Sequence, residues 1–123
     1  MYIDVLIKMK NAEQAGKRSM KVRFSRMDQA VLEELKHYGF LKKVEVKGRP
    51  PKKIIEVVFS KERRVQGLKF LSKPSLRRYG GYEDFKKVKG GHGILVVSTS
   101  KGVMSGVRAR KEKVGGQMLF QIW

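Results

Sequence analysis

Apolar residues near the start of the chain recur at the spacing of an amphipathic helix. The pattern predicts a helix over residues 2–15, with its apolar side chains mostly on one side. These apolar residues are Ile3, Val5, Leu6 and Met9. Lys8, Lys10 and Asn11 point away from that side, so one face of the helix is expected to pack and another to stay available for binding.

A second helix is predicted over residues 25–38. Ser25 and Asp28 mark its start, because a serine hydroxyl can accept a hydrogen bond from an amide of the first turn. Its apolar positions form one stripe, which consists of Val31, Leu32, Leu35 and Tyr38. Gly39 is well placed to leave the helix in a left-handed conformation.

Two runs rich in β-branched residues, 40–46 and 54–59, predict a hairpin. The segment Gly48-Arg49-Pro50-Pro51 lies between them and supplies the turn. The basic stretch 17–26 is compatible with a helix or with a short strand. The first half is therefore expected to be an α+β module in which both helices cover one face of a sheet.

The second half of the chain is richer in strand and turn patterns. Residues 65–71 predict a strand, Lys73-Pro74-Ser75 a bend, and residues 76–79 a further extended segment. The glycine pairs 80–81 and 90–91 bracket a short helical or turn segment that contains Phe85 and Val88. Residues 94–97 are a short apolar run that is typical of a central strand.

Ser105 is predicted to cap a short basic helix that continues to Val114 and is stopped by glycines 115 and 116. Residues 117–123 then alternate as a closing strand, with Met118, Phe120 and Ile122 on one face. The predicted fold class is therefore α+β, in two small modules. Residues 1–64 pack N-terminal helices on a short sheet, and residues 65–123 are mostly antiparallel β with a short helix.

The charge balance indicates a polyanionic partner. The 123-residue chain carries 29 Lys and Arg against 11 Asp and Glu, a formal net charge of +18, which favours nucleic acid. A membrane surface is the weaker alternative, since no apolar run approaches the roughly 20 residues that span a bilayer. An apolar fraction of 41% is enough for a packed core rather than a disordered basic tail.

Metal, cofactor and catalytic chemistry have little support. The chain has no cysteine, which fits a cytoplasmic setting, and its start lacks the pattern of a secretion signal. His37 and His92 have no partners at metal-binding spacing, so no metal and no cofactor are expected. Residues 98–101 match the Ser-x-x-Lys pattern of serine acylases but lack its supporting elements, so we expect no catalytic residue and no enzyme.

The polar residues that follow the 94–97 strand are the candidates for binding. Ser98, Thr99, Ser100, Lys101 and Gly102 combine short hydroxyl side chains with one cation. Such side chains suit the wide, shallow minor groove of RNA, where 2′-hydroxyls and base edges are displayed. An ordinary polar turn is the alternative interpretation of these residues taken alone.

Residues 93–110 resemble the signature of the family of ribosomal protein eight of the small subunit, a universal rRNA-binding family, in its bacterial-like form. The matching residues are Gly93, Val96, Val97, Ser98, Thr99, Gly102, Val103, Met104, Ala109 and Arg110. The resemblance extends along nearly the whole chain, through Asp4, Leu6, Lys8, Lys10, Asn11, Ala12, Tyr38, Gly39, Phe40, Leu71, Ser72, Lys73, Pro74, Leu76, Arg77, Tyr79, Gly115, Gly116 and Gln117.

The resemblance implies a structural constituent of the small ribosomal subunit that binds an internal-loop helix in the central domain of the rRNA and helps its assembly. By that analogy Ser98, Thr99 and Ser100 touch bases and sugars, while Lys101 and Gly102 lie against the backbone. A second stretch of RNA is implied at the first helix. The other implied rRNA-binding residues are Lys8, Lys10, Asn11, Lys73, Arg77, Tyr79, Val103 and Gln117. Tyr79 is equally compatible with a core aromatic or with stacking on a base.

The resemblance also implies neighbouring small-subunit proteins as partners, among them proteins five and twelve, and a cytoplasmic ribosome, with an organellar one also compatible. Gln117 stands where glutamate is usual and Ser75 where glycine is usual, so a carboxylate contact and the local turn are expected to differ. Composition alone leaves open a general RNA- or DNA-binding module outside the ribosome. A small hydrolase is a distant third.

Overall fold

Helices alternate with antiparallel strands in the computed structural model, which describes residues 2–61, 65–73, 75–85 and 93–123. The chain divides into two units, Met1–Val65 and Gln66–Trp123, and each contains its own sheet. The predicted α+β class is confirmed, because helices and antiparallel sheets together make up both units.

The first unit combines two helices with a three-stranded sheet. The helices are α1 (Tyr2–Gln14) and α2 (Arg26–His37), and the strands are β1 (Ser19–Arg23), β2 (Leu41–Lys47) and β3 (Ile54–Phe59). The strands pair antiparallel in the order β1-β3-β2, which confirms the predicted hairpin. Ile55, Val57 and Phe59 of β3 are buried, and their neighbours along the strand are partly exposed. The two helices contact each other as well as β1 and β2, so one face of the sheet is covered.

Helix α2 has the predicted ends. The Ser25 hydroxyl accepts a hydrogen bond from the Asp28 amide at 3.5 Å. At the other end Gly39 has φ +87°, and the amide of Phe40 donates to the carbonyl of Leu35 at 3.0 Å. This is the glycine-terminated helix end that the sequence indicates. Tyr38 is half-buried rather than part of the buried stripe.

The basic stretch before α2 contains a strand rather than a helix. Met20 and Val22 of β1 are buried while Ser19, Lys21 and Arg23 are exposed. This alternation has the period of a strand with one face on the core, so the basic side chains of β1 point outward.

The second unit is a sheet with one helix on it. Its elements are β4 (Leu68–Phe70), β5 (Tyr79–Gly80), β6 (Ile94–Thr99), β7 (Gly102–Ser105), α3 (Gly106–Glu112) and β8 (Gly116–Ile122). The strand order is β4-β8-β6-β7, and β5 also pairs with β8, so the apolar run 94–97 lies in a central strand as predicted. Ala109 of α3 packs on Leu95, Val97 and Met104, which gives this unit a core on one face of its sheet.

The predicted alternation of the closing strand is wrong at Met118. Val96 lies opposite Phe120, but the next residue of β6, Val97, lies opposite Met118. β8 therefore contains one extra residue, Leu119, which forms a bulge. Because consecutive residues of β6 face opposite sides, Met118 and Phe120 lie on opposite faces of the sheet. A regular alternation cannot reveal an inserted residue of this kind.

The glycines after α3 have a different role from the predicted one. Ser105 caps the helix as expected, since its hydroxyl accepts from the Arg108 amide at 3.2 Å. The residue that leaves the helix in a left-handed conformation is Lys113, with φ +56°. A Cβ at Gly115 would lie 2.8 Å from the Gly80 carbonyl oxygen, and a Cβ at Gly116 would overlap that of Ser98. These two glycines allow close strand packing.

Other predictions for the second unit hold in part. The strand predicted over residues 65–71 is confined to Leu68–Phe70. The segment after Gly81 begins with a single helical turn, Tyr82–Asp84, and Phe85 is buried beside it. Val88, the glycine pair 90–91 and His92 lie outside the described residues.

Candidate nucleic-acid interface

The hairpin that joins β6 to β7 carries the hydroxyl-rich segment at its tip. Thr99 pairs with Gly102, so Ser100 and Lys101 form a two-residue loop, and both are exposed. The Thr99 hydroxyl donates to the Gly102 carbonyl at 2.9 Å and accepts from the Lys101 amide at 3.1 Å. Gly102 has φ +115°, a conformation that favours glycine. Thr99 therefore closes the tip, and the Ser100 and Lys101 side chains face solvent.

Four predicted residues lie in one line across four strands. Gln117 of β8 is opposite Tyr79 of β5 on one side and opposite Ser98 of β6 on the other. Ser98 is in turn opposite Val103 of β7. Directly opposed residues share a face of a sheet, so these four side chains form a cross-strand row on one face.

The cross-strand row lies on the face of the sheet that α3 does not cover. Val97 packs against Ala109 of α3, and Ser98 is the next residue of the same strand, so its side chain points the other way. Tyr79 is 66% exposed, so it is not a core aromatic, and the other three members are half-buried. The row presents one exposed aromatic ring, one amide, one hydroxyl and one apolar side chain.

A turn rich in cations precedes Tyr79. Lys73 and Leu76 exchange two backbone hydrogen bonds, of 2.8 and 3.0 Å. Lys73, Arg77 and Arg78 are exposed. We call the described residues Lys73, Ser75, Leu76, Arg77 and Arg78 the basic turn. It leads directly into the cross-strand row, so the structure brings Lys73 and Arg77 to the same part of the second unit as Tyr79.

In the first unit, a groove of about 710 Å³ runs between α1 and β1. Lys8 and Asn11 of α1 line it, together with Lys17 and Lys21. Of the three residues predicted here, Lys8 and Asn11 are thus brought together, whereas Lys10 is half-buried and outside the lining.

A second groove, of about 470 Å³, extends from Lys8 toward the β2–β3 turn. Lys21 lines this groove as well, with three further cations: Arg23, Lys52 and Lys53. None of these residues stands out individually in the sequence, because only the pairing of β1 with β3 brings the two segments together. The basic character of residues 17–26 was the one signal that pointed to this surface.

The acidic side chains on the outer face of this sheet are paired with lysines. Glu45 contacts Lys43 at 2.6 Å, and Lys47 contacts Glu56 at 3.2 Å. The hydrogen bond from Lys43 lowers the pKa of Glu45, and the Glu56 carboxylate raises the pKa of Lys47. Lys21 also lies 3.9 Å from Glu56. These acids are paired locally, and Asp4 lines the α1–β1 groove beside its three lysines.

Asp28 is a buried acid near the start of α2, with 4% of its surface exposed. Its Oδ1 atom has no hydrogen-bond partner among the described residues. Burial raises the pKa of the Asp28 carboxyl, and the nearby Asp4 carboxylate adds to the rise. Asp28 therefore bears on stability rather than on an exposed binding surface.

The described residues contain no group of three or more His, Asp or Glu side chains placed to hold a metal ion. His37 packs edge-on against Tyr38, with ring centroids 5.1 Å apart. Within the same part of the chain, no helix has both the length and the apolar character needed to cross a bilayer. Ser98 and Lys101 lie on a hairpin rather than on the helix of a serine acylase.

Comparisons with known proteins agree over nearly the whole length. Residues 2–123 match the model of the family described as ribosomal protein S8. The chain is 41% identical to the small ribosomal subunit protein uS8 of Desulforudis audaxviator, over 98% of this chain and 95% of that protein. It is 38% identical to the uS8 protein of Caldicellulosiruptor bescii, over 98% and 94% of the two chains. It is 35% identical to that of Mycoplasma mobile, over 98% and 92%.

Proposed function

Because the chain belongs to the ribosomal protein S8 family, we propose that it binds an internal-loop helix in the central domain of small-subunit rRNA directly and helps that domain to assemble. The family consists of structural ribosomal proteins, so membership confirms both the resemblance and the prediction that this chain is not an enzyme. A general nucleic-acid-binding module outside the ribosome rested on composition alone and has no support from the comparisons.

The cross-strand row is the observation that carries the proposal. Sequence placed Tyr79, Ser98, Val103 and Gln117 on three separate segments, and strand register places them side by side on the face of the sheet opposite α3. An exposed aromatic ring suits stacking on an unpaired base, and a neighbouring amide and hydroxyl suit hydrogen bonds to base edges and riboses. Unpaired bases are what an internal loop in an RNA helix supplies.

The hairpin tip adds contacts next to the row. The Thr99 hydroxyl is occupied by the turn itself, so Ser100 is the hydroxyl most available to RNA. Lys101 is exposed beside it and suits a phosphate oxygen. In this proposal the tip enters the shallow minor groove, with Gly102 against the RNA backbone, while the row contacts the bases of the loop.

The α1–β1 groove is proposed to hold a second stretch of RNA through its phosphates. Lys8, Lys17 and Lys21 line the groove with Asn11, and a lysine ammonium binds phosphate as a point charge. These contacts add affinity without sequence information, because phosphates are the same in every sequence. Base recognition is therefore assigned to the second unit and backbone attraction to the first.

The protein's proposed setting is the small ribosomal subunit. Within the small subunit it associates with rRNA and neighbouring ribosomal proteins, and proteins five and twelve are the proposed neighbours. The proposed location is the cytoplasmic ribosome, with an organellar ribosome as the other compartment that fits.

The test is binding of the full chain to a transcript of the internal-loop helix from the central domain of bacterial small-subunit rRNA. The control transcript has the same flanking helices with the loop replaced by continuous base pairs. At about 0.2 M salt we expect the loop transcript to bind at least about 100-fold more tightly, because base contacts persist where phosphate contacts are screened. Equal affinity for the two transcripts would overturn the proposal.

A further inference from the structure

Ser72 is a buried polar residue at the base of the basic turn. It is 1% exposed, and its hydroxyl donates to the Met118 carbonyl at 2.5 Å and accepts from the Arg78 amide at 2.9 Å. The Met118 amide donates to the Arg78 carbonyl at 2.8 Å. One hydroxyl thus ties both sides of the basic turn to β8.

The bulge in β8 supplies part of this attachment. The Leu119 carbonyl accepts from the amides of Leu71 and Ser72, at 3.0 and 3.3 Å. Leu119 is the extra residue of the bulge, and its carbonyl is directed at the segment that follows β4. The chain therefore leaves β8 at Ser72 and rejoins it at Arg78, directly before Tyr79 pairs with Gln117.

The basic turn exposes an apolar side chain between cations. Leu76 is 55% exposed, and Lys73, Arg77 and Arg78 around it are exposed as well. The sequence from Arg63 to Tyr82 contains no Asp or Glu. A single exposed leucine is common on protein surfaces. This one is distinguished by its place on a turn that a buried hydroxyl and five backbone hydrogen bonds fix next to Tyr79.

Charge identifies the occupant that fits this turn. An apolar side chain flanked by three cations matches a ribose or base face whose adjoining phosphates are anionic. A neighbouring protein would need a complementary acidic surface, and RNA always carries one charge per phosphate.

We propose that Leu76 of the basic turn packs on a base or ribose of the bound RNA, and that Ser72 is the positioning residue that holds this turn in line with the cross-strand row. The inference rests on the proposed rRNA-binding function. Ser72 itself is buried and touches no RNA, so its effect passes through Leu76 and Tyr79.

The test is a double-mutant cycle in the full chain, with the internal-loop transcript as the probe. Leu76→Ala is expected to weaken binding by about tenfold, the size of one lost apolar contact. Ser72→Ala is expected to weaken binding by a similar factor, because the turn that carries Leu76 is no longer held in place. Because Ser72 acts through the turn, the affinity of the double variant is expected to fall by far less than about one hundredfold, which is the product of the two single effects. Leu76 is exposed, so Leu76→Ala tests the contact even if Ser72→Ala fails to fold.

Ser105→Ala is the matched control, since Ser105 is the other described serine of this unit that is buried, and it caps α3 instead of the turn. It is expected to lower the unfolding midpoint while leaving RNA affinity within about twofold. If Leu76→Ala binds the loop transcript as tightly as the wild type does, the inference is overturned. The proposed function stands in that case, provided that the wild-type chain still prefers the loop transcript to the control transcript. An effect of Leu76→Ala that appears only when a neighbouring ribosomal protein is added would also overturn it, and would assign the turn to that protein. If the wild-type chain binds the loop and control transcripts equally well, the proposed function is overturned instead.

Discussion

Gln117 lies directly opposite Ser98 in the antiparallel pair of β8 and β6, and directly opposite Tyr79 in the pair of β8 and β5. Gln117 is thus one of the two inner residues of the cross-strand row. Its amide offers both an acceptor and a donor where a carboxylate would offer acceptors alone.

Gln117→Ala is expected to weaken binding to the internal-loop transcript by about 1 kcal/mol, since one neutral hydrogen bond is lost at a half-buried site. Gln117→Glu is expected to restore most of that affinity, because a carboxylate keeps the acceptor. Isothermal titration of both variants measures the effect. If Gln117→Glu binds as weakly as Gln117→Ala, the amide donor is the group that matters and this assignment is wrong.

At the hairpin tip, removal of two neighbouring hydroxyls is expected to have different effects. Ser100→Ala should weaken RNA binding by about 1 kcal/mol without a change in folding, because the side chain is exposed. Thr99→Val should release the Lys101 amide, which donates to the Thr99 hydroxyl, and its hydrogen exchange should become faster in the free protein. Exchange at Lys101 that is unchanged in Thr99→Val would contradict the role of Thr99 in closing the tip.

Gly116→Ala is expected to destabilise the protein by more than about 2 kcal/mol, because the new Cβ would overlap the Ser98 carbonyl oxygen. Gly102→Ala is the comparison, since a Cβ there has open space and only φ +115° opposes it. Strain of that kind costs about 1–2 kcal/mol. Urea unfolding of both variants ranks the two costs, and a larger loss for Gly102→Ala would contradict the close approach of β8 to β6.

Lys8→Ala is expected to reduce the slope of log Kd against log salt by about 1, because one phosphate contact is lost. Lys43→Ala is the matched control, since Lys43 lies on the outer face of the three-stranded sheet of the first unit and is paired with Glu45. Its slope is expected to stay at the wild-type value. Equal slopes for all three proteins would remove the α1–β1 groove from the RNA path.

Asp28 is expected to make stability fall as pH rises. Burial raises the pKa of its carboxyl in the folded state, so the folded protein binds the proton more tightly than the unfolded chain does. Stability is then lost between the ordinary carboxyl pKa and the raised one. Urea unfolding from about pH 4 to about pH 7 should therefore show Asp28→Asn gaining stability relative to wild type as pH increases. A constant difference across this range would contradict the prediction.

Local signals predicted local structure well. The two ends of α2 follow from Ser25, Asp28 and Gly39, because caps depend on bonds between residues a few positions apart. The hairpin of β2 and β3 was equally predictable, since alternating apolar residues flank a glycine- and proline-rich turn.

Features that depend on pairing between distant segments were not predictable from pattern. The bulge at Leu119 shifts Met118 to the other face, and only the register with β6 reveals it. The cross-strand row and the buried attachment of Ser72 likewise need the positions of β5, β6 and β8 together. In the sequence Ser72 looks like any serine in a polar segment, because burial is a property of the fold.

The hydroxyl of Thr99 completes its two hydrogen bonds within the hairpin before any RNA arrives. The conformational entropy of ordering this loop is consequently lost during folding and not during binding. Association should therefore resemble the docking of a rigid body, with little induced fit at the tip.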